Sequence, residues 1–256
     1  MLFTDIIYGP IRSRRLGISL GVNLLPLHSK LCNFDCIYCE CGWNDDNRAD
    51  KPRFNSREDV RFALDATLSK MQVEGALPDV ITFAGNGEPT IHPEFDGIIE
   101  DTIALRDKYA PNAKVSVLSN ATQLHREEVR NALRRVDNAI LKLDSAFDRT
   151  VQLINKPQQA SYTVARVVEQ MRPFAGQMIL QTMFLRGTFE GQRVDNTTEE
   201  ELTAWLRCVE ELQPRSVMVY SIDRDTPCPT LEKVAREELE AIARRVEALG
   251  IACSVA

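Results

Sequence analysis

The chain has 256 residues, 44% of them hydrophobic, and a formal net charge of -6, which allows one large or two modest domains with a full core. No stretch approaches the roughly 18 apolar residues of a membrane span, and "MLFTDIIYGPIRSRR" lacks the basic region and apolar run of a secretory signal, so a cytoplasmic setting is expected. The acidic balance argues against nucleic acid as the main partner, and seven cysteines, an odd number in a reducing compartment, argue against a disulfide framework.

In chain order, "YGPIRSRRLGISLGVNLLP" (8–26) combines a proline turn with Arg12, Arg14 and Arg15 and reads as a basic segment, either solvated or facing a substrate. Its end, 19–25, is the first strand candidate. A helix is expected over 56–72, opened by Ser56 and Asp59 at N-cap and N3 spacing, and a strand over 79–85. Helix 94–109, strand 113–120, helix 126–136 and strand 138–144 follow. Helix 162–172, strand 177–185, helix 198–212 and strand 215–222 come next. The last helix, about 231–249, sets Leu239, Ile242, Val246 and Leu249 on one apolar face, and "IACSV" reads as a short closing strand. The strands are β-branched and nearly continuously apolar, and each alternates with a helix, which predicts an α/β fold with parallel strands and outer helices. Six such units fit either an open doubly wound sheet or an incomplete barrel, and in both the ligands gather at the C-terminal ends of the strands.

Those ends carry the chemistry. Cys32, Cys36 and Cys39 form a C-x3-C-x2-C loop after the first strand. Zinc sites tend to pair two ligands with a distant second pair, but no second CxxC exists and His28, His92 and His125 are scattered. Three close thiolates suit a [4Fe–4S] cluster with one iron left open. Cys41 reads as incidental, Cys208 as core, Cys253 as isolated, and Cys228 as a loop residue or a thiol on the substrate side. "FAGNGEPTIHPEF" (83–95) ends the second strand; its glycines allow close backbone approach and Pro89 fixes the turn, while His92 reads as packing or capping the next helix. Ser119 and Asn120 end the third strand, as N-cap or ligand contact. Lys142 and Asp144 alternate with leucines at the fourth strand's end, and a buried Lys–Asp couple needs a ligand or an internal pair. Gln181 interrupts the apolar fifth strand, and Tyr220, Asp223 and Arg224 stand at the mouth of the sixth, as substrate contacts or a charged turn.

The CxxxCxxC loop, with aromatic Tyr38 just before its third cysteine, resembles the radical S-adenosylmethionine (SAM) superfamily, and "NGEP" resembles that family's GGEP motif with Asn86 at the first glycine place. The strings "YGP–SRRLG–SLGVN–P", "GNGEPT–HPEF", "KLD" and "INKP", over residues 8–225, resemble the subgroup of wyosine-synthetase-related proteins and uncharacterised iron–sulfur oxidoreductases. The resemblance implies a partial (β/α)6 barrel in a single domain, 1–256, with its core about 15–225, a basic segment 8–18 and a C-terminal helix and strand over 230–256. It implies a [4Fe–4S] cluster on Cys32, Cys36 and Cys39, with SAM held near Tyr38, Asn86, Gly87, Glu88, Pro89, Ser119, Asn120, Asp144, Lys142 and Gln181. Asp144 is the first choice for the ribose hydroxyls, and substrate contacts are sought at Arg12, Arg15, Tyr220 and Arg224. An external one-electron donor, flavodoxin or ferredoxin, is implied, and the radical abstracts hydrogen from an unidentified substrate. The alternatives are a tRNA-modifying enzyme of the wyosine type and a zinc- or cluster-bearing module without turnover.

Overall fold

The computed structural model describes residues 2–13, 17–46 and 52–256. The chain forms two compact units: residues 1–32, 44–119 and 125–139 make the first, and 33–43, 120–124 and 140–256 the second. Among the described residues no helix is long and apolar enough to cross a membrane.

The first unit runs β1 (Ile7–Ser13), β2 (Gly17–Val22), α1 (Arg57–Glu74), β3 (Val80–Phe83), α2 (Phe95–Tyr109), β4 (Lys114–Ser119) and α3 (Glu127–Arg135). Its strands lie in the order β1-β2-β3-β4. β2, β3 and β4 are parallel, with Ser19 opposite Val80 and Val80 opposite Lys114. Buried on both faces, they read as continuous apolar runs such as "VITF". α1 turns Val60, Leu64, Leu68 and Met71 inward at helical spacing, is capped by Ser56, whose Oγ accepts from Asp59 N at 3.1 Å, and stops at Gly75 in the left-handed conformation. Arg57 clamps Asp101 of α2 through two bonds of 2.7 and 2.8 Å.

The second unit carries β5 (Asn138–Lys142, from Ile140 onward), α4 (Asp148–Ile154), α5 (Val164–Met171), β6 (Ile179–Met183), β7 (Leu185–Phe189), β8 (Gln192–Asp195), α6 (Glu199–Leu212), β9 (Ser216–Tyr220), β10 (Leu231–Lys233), α7 (Arg236–Glu247) and β11 (Ala252–Val255). β5, β6, β9 and β11 are parallel neighbours in that order, and β7 is flanked by β10 and β8 in a small antiparallel sheet. Trp205 of α6 is fully buried; it packs edge-on against Phe184 at 5.2 Å and donates its Nε1–H to Thr182 at 3.1 Å.

The α/β class and the six parallel strands stand as expected: β2, β3, β4, β5, β6 and β9. Several elements differ, the unexpected short helix α4 among them. The basic segment is in part a strand, β1, pairing antiparallel with β2 through Ile7 opposite Val22. The expected helix 231–249 begins at Arg236, because Leu231–Lys233 pairs with Leu185–Gly187 instead. "LRGTFEGQRVD" is a hairpin, turned by Glu190 and Gly191, both with positive φ (49° and 75°), the type that suits two-residue hairpin turns.

Candidate functional site

In the first unit the loop after β3 is tied to the chain entering the cysteine segment. Leu31 N donates to Asn86 O (2.8 Å), Glu88 N to Leu31 O (3.2 Å), and Leu31 pairs with Gly87 as an isolated parallel bridge. Gly87 has φ 136°, and a Cβ there would lie 1.9 Å from the Leu31 carbonyl oxygen, so only glycine fits. Asn86 is fully buried and completely engaged: its Nδ2 donates to Pro26 O (2.8 Å) and Phe3 O (2.9 Å), and its Oδ1 accepts from Phe3 N (2.8 Å). A polar side chain at this place of the motif therefore braces the loop from behind. Glu88 is buried; its Oε1 accepts from Thr90 N (3.1 Å), Thr90 Oγ1 and Ser119 Oγ (2.8 Å), which leads into the 3-10 turn Pro89–Ile91. His92 caps and packs as expected: Nδ1 accepts from Glu94 N (3.1 Å), Nε2 meets Asn55 O (2.9 Å), and the ring stands edge-on to Phe54. Burial lowers its pKa. Cys32 is half-buried, and its carbonyl accepts from Asn44 Nδ2 at 3.1 Å.

In the second unit the cysteine segment is pinned to the end of α4. Asp35 N donates to Asn155 O and Ile37 N to Ile154 O, both at 2.9 Å. Cys39 N donates to Cys36 O (3.1 Å) and Gly42 N to Cys39 O (2.9 Å), so the thiols ride on tight turns. Cys36 is buried and Cys39 half-buried. Behind them lies a buried polar network. Asp144 Oδ2 accepts from the Tyr38 hydroxyl and from Asn155 Nδ2 (2.7 Å); its Oδ1 accepts from Met183 N (2.9 Å) and sits 3.6 Å from Lys142 Nζ. Asn155 Nδ2 also reaches Tyr38 Oη (3.1 Å) and Cys36 Sγ (3.4 Å). Lys142 Nζ donates to Tyr220 Oη at 2.9 Å and lies 5.2 Å from the Tyr38 ring centre and 5.4 Å from that of Tyr220.

Burial pushes the Cys36 thiol up to about 11, aided by Cys39 and opposed by Lys142 and Asn155. Burial, then Asp144, raises the Tyr38 phenol. Burial pulls the Lys142 ammonium down, but Asp144, Tyr220 and Cys36 together outweigh it, so Lys142 stays charged. Gln181 lies buried on β6 opposite Lys142, and its amide has no hydrogen-bond partner among the described residues.

Asn120 caps no helix. It donates to Asn33 Oδ1 (2.7 Å) and accepts from Thr122 N (3.1 Å) and Thr122 Oγ1 (2.7 Å), bracing the start of the cysteine segment. Arg224 pairs with exposed Glu40 at 2.6 Å. Arg12 is exposed on β1, and Arg14 and Arg15 lie outside the described residues. Cys228 is buried against Thr230 Oγ1 (3.2 Å) and Thr188 O (3.6 Å), as a loop residue. Two residues escaped the sequence reading. Asn155 is legible only as part of "INKP"; Asn196, which ties Leu185 N, Met183 O and Asp144 O together at 2.8–2.9 Å, carries no local signal at all.

The radical SAM superfamily model matches residues 27–195, two thirds of the chain. The chain belongs to the radical SAM superfamily. It is 30% identical over 237 residues to a UPF0026 protein of Synechocystis, covering 91% of this chain and 79% of that one. A UPF0026 protein of Methanocaldococcus jannaschii is 31% identical over 213 residues, 82% of this chain and 61% of the relative. A protein of Brachyspira hyodysenteriae named GTPase Obg is 28% identical over 251 residues, 96% of this chain but only 34% of that protein. The chain thus spans less than two thirds of these last two relatives, and it contains no G-x4-G-K-[ST] phosphate loop. Among solved structures it is similar in fold to a radical SAM methyltransferase from Sphaerobacter thermophilus (TM-score 0.68, 14% identity, 93% of this chain and 65% of that one). It is also similar to TYW1 with a lysine-pyruvate adduct bound (0.63, 13%, 90% and 73%) and to Streptococcus suis SuiB bound to S-adenosylmethionine (0.63, 14%, 91% and 51%).

Membership of the radical SAM superfamily implies SAM and a [4Fe–4S] cluster. Among the described residues no three His, Cys, Asp or Glu side chains are gathered tightly enough for one metal ion. A four-iron cluster instead places each thiolate on its own iron. The donors fit it: Cys32, Cys36 and Cys39 form no disulfide, and an amide N–H already faces the Cys36 sulfur.

Proposed function

We propose that this chain is a radical SAM enzyme acting by hydrogen abstraction on a substrate yet to be identified, with its electron from an external flavodoxin or ferredoxin. The observation that carries the reading is the Leu31–Gly87 bridge, which fastens the NGEP loop to the residue preceding Cys32. Leu31 and Gly87, 56 positions apart in sequence, are thereby joined in one piece of backbone. When bound, the cluster and SAM supply reductive cleavage of the sulfonium to a 5'-deoxyadenosyl radical.

The chain's own part is to hold and aim. Cys32, Cys36 and Cys39 would give up their thiol protons to hold the cluster. The raised Cys36 pKa makes that loading favour higher pH, since the metal must displace a tightly held proton. The glycine backbone at 85–87 permits close approach of an amino acid headgroup, and Glu88, braced by Thr90 and Ser119, presents negative charge for its ammonium.

The test is anaerobic reconstitution with iron and sulfide, then reduction with dithionite in the presence of SAM. Bound iron in the wild-type chain, its loss in each of Cys32→Ala, Cys36→Ala and Cys39→Ala, its retention in Cys41→Ala, and slow release of 5'-deoxyadenosine are expected. A colourless, zinc-loaded protein, or a reduced cluster with bound SAM that releases no 5'-deoxyadenosine, would overturn the reading.

A further inference from the structure

The buried network behind the cysteine segment ends on a sulfur. Asn155 Nδ2 lies 3.4 Å from Cys36 Sγ, within reach of a hydrogen bond to a thiolate. Which end of an amide faces a neighbour is decided by its other partners. Here the partner at 2.7 Å is the Asp144 carboxylate, an acceptor, so the NH2 end points inward and its second N–H is left for Tyr38 Oη and Cys36 Sγ. Asn155 is the C-cap of α4, its backbone oxygen accepts from Asp35 N at 2.9 Å, and the whole residue is buried.

We infer that Asn155 is a positioning residue that sets the reduction potential of the cluster through an N–H bond to the Cys36 sulfur, an inference that rests on the radical SAM reading above. Reduction adds one electron to the cluster, and a dipole with its positive end on a ligand sulfur stabilises the reduced form more than the oxidised form. The bond therefore raises the potential and eases delivery of the electron. The charged Lys142 on the far side of Asp144 works in the same direction, but it is neutralised by that carboxylate at 3.6 Å, whereas the amide touches sulfur directly.

The test uses the full chain, reconstituted anaerobically, with iron and sulfide counted and the midpoint potential measured by a redox titration followed by electron paramagnetic resonance. Asn155→Leu removes the donor, and Asn155→Asp keeps the shape while turning donor into acceptor. Both are expected to bind the wild-type amount of iron with a midpoint moved to more negative potential, the aspartate further. Tyr38→Phe, which leaves Asn155 and Cys36 in contact, is expected to move it less than either. A full iron load with an unmoved midpoint in both Asn155 variants would sink the inference while leaving the enzyme reading intact. Loss of iron from both would also sink it, making Asn155 a builder of the loop. A wild-type chain that takes up no cluster would sink both readings.

Discussion

Asp144 is the most heavily engaged of the residues that the sequence singles out. The sequence marks it as a polar group at the mouth of the fourth strand, suited to ribose hydroxyls. Its carboxylate oxygens are instead engaged by the Tyr38 hydroxyl, Asn155 Nδ2, Met183 N and Lys142 Nζ. A carboxylate has about four acceptor directions, and here the protein fills them. Asp144→Ala should therefore act on stability first: removing one partner from a buried ion pair costs about 3–5 kcal/mol, because Lys142 and Tyr38 are left facing no charge. A thermal melt and SAM titration on the same variant check this. A strongly lowered melting temperature with SAM affinity changed less than about tenfold is expected; an unchanged melt with a weaker SAM affinity would return Asp144 to the ribose. The neighbouring Asn155 was out of reach of sequence reasoning, since "INKP" gives no hint that its amide would span three acceptors 11 to 119 positions away.

At the scale of elements, periodicity did most of the reading. Helices α1, α2 and α6 sit within two residues of their expected spans, because each carries an inward apolar stripe and α1 and α6 begin at Ser56 and Thr198 caps. What stayed hidden was structure made by pairing. β7, β8 and β10 are short and rich in polar residues, and β1 is broken by Gly9 and Pro10, so their sequences resemble loops, and only the partner strand makes them strands. α4, a seven-residue helix, is too short to show a stripe. Its junction with α6 makes a test. Glu201, buried in the first turn of α6, accepts from Ser145 Oγ (2.6 Å) and Thr150 Oγ1 (2.5 Å), joining α6 to α4 and to the end of β5. Glu201→Ala strands both hydroxyls and is expected to cost about 2–3 kcal/mol, read from denaturant unfolding. Exposed Glu200→Ala, whose pair with Arg149 is solvated, should cost less than about 1 kcal/mol. Equal effects would show that the buried contacts contribute nothing special.

For the molecule as a whole, the superfamily is legible in two short motifs, while the way the chain braces them is not. The titrating groups also set a pH range. His92 is held neutral by burial, with its folded pKa below the unfolded value, so stability present above about 6.5 is lost as pH falls through the folded value. Burial, followed by a neighbouring glutamate, raises the Cys208 thiol to about 11 and the Cys253 thiol to about 12, so stability held below the unfolded value of 9.0 falls as pH rises toward those values. Melting temperatures of the metal-free protein should thus decline on both sides of a neutral plateau, with His92→Gln flattening the acid limb; an acid limb left as steep would remove His92 as its cause. The main-chain bonds from Asp35 and Ile37 to the last turn of α4 carry a different consequence. A helix end normally leaves its final carbonyls to water, and here two of them serve as the jig on which the thiol segment is bent. Fraying of those seven residues would release the jig and the metal together. Loss of colour from a reconstituted chain on warming is then expected as a local event, timed by this seven-residue helix and preceding the collapse of the sheets.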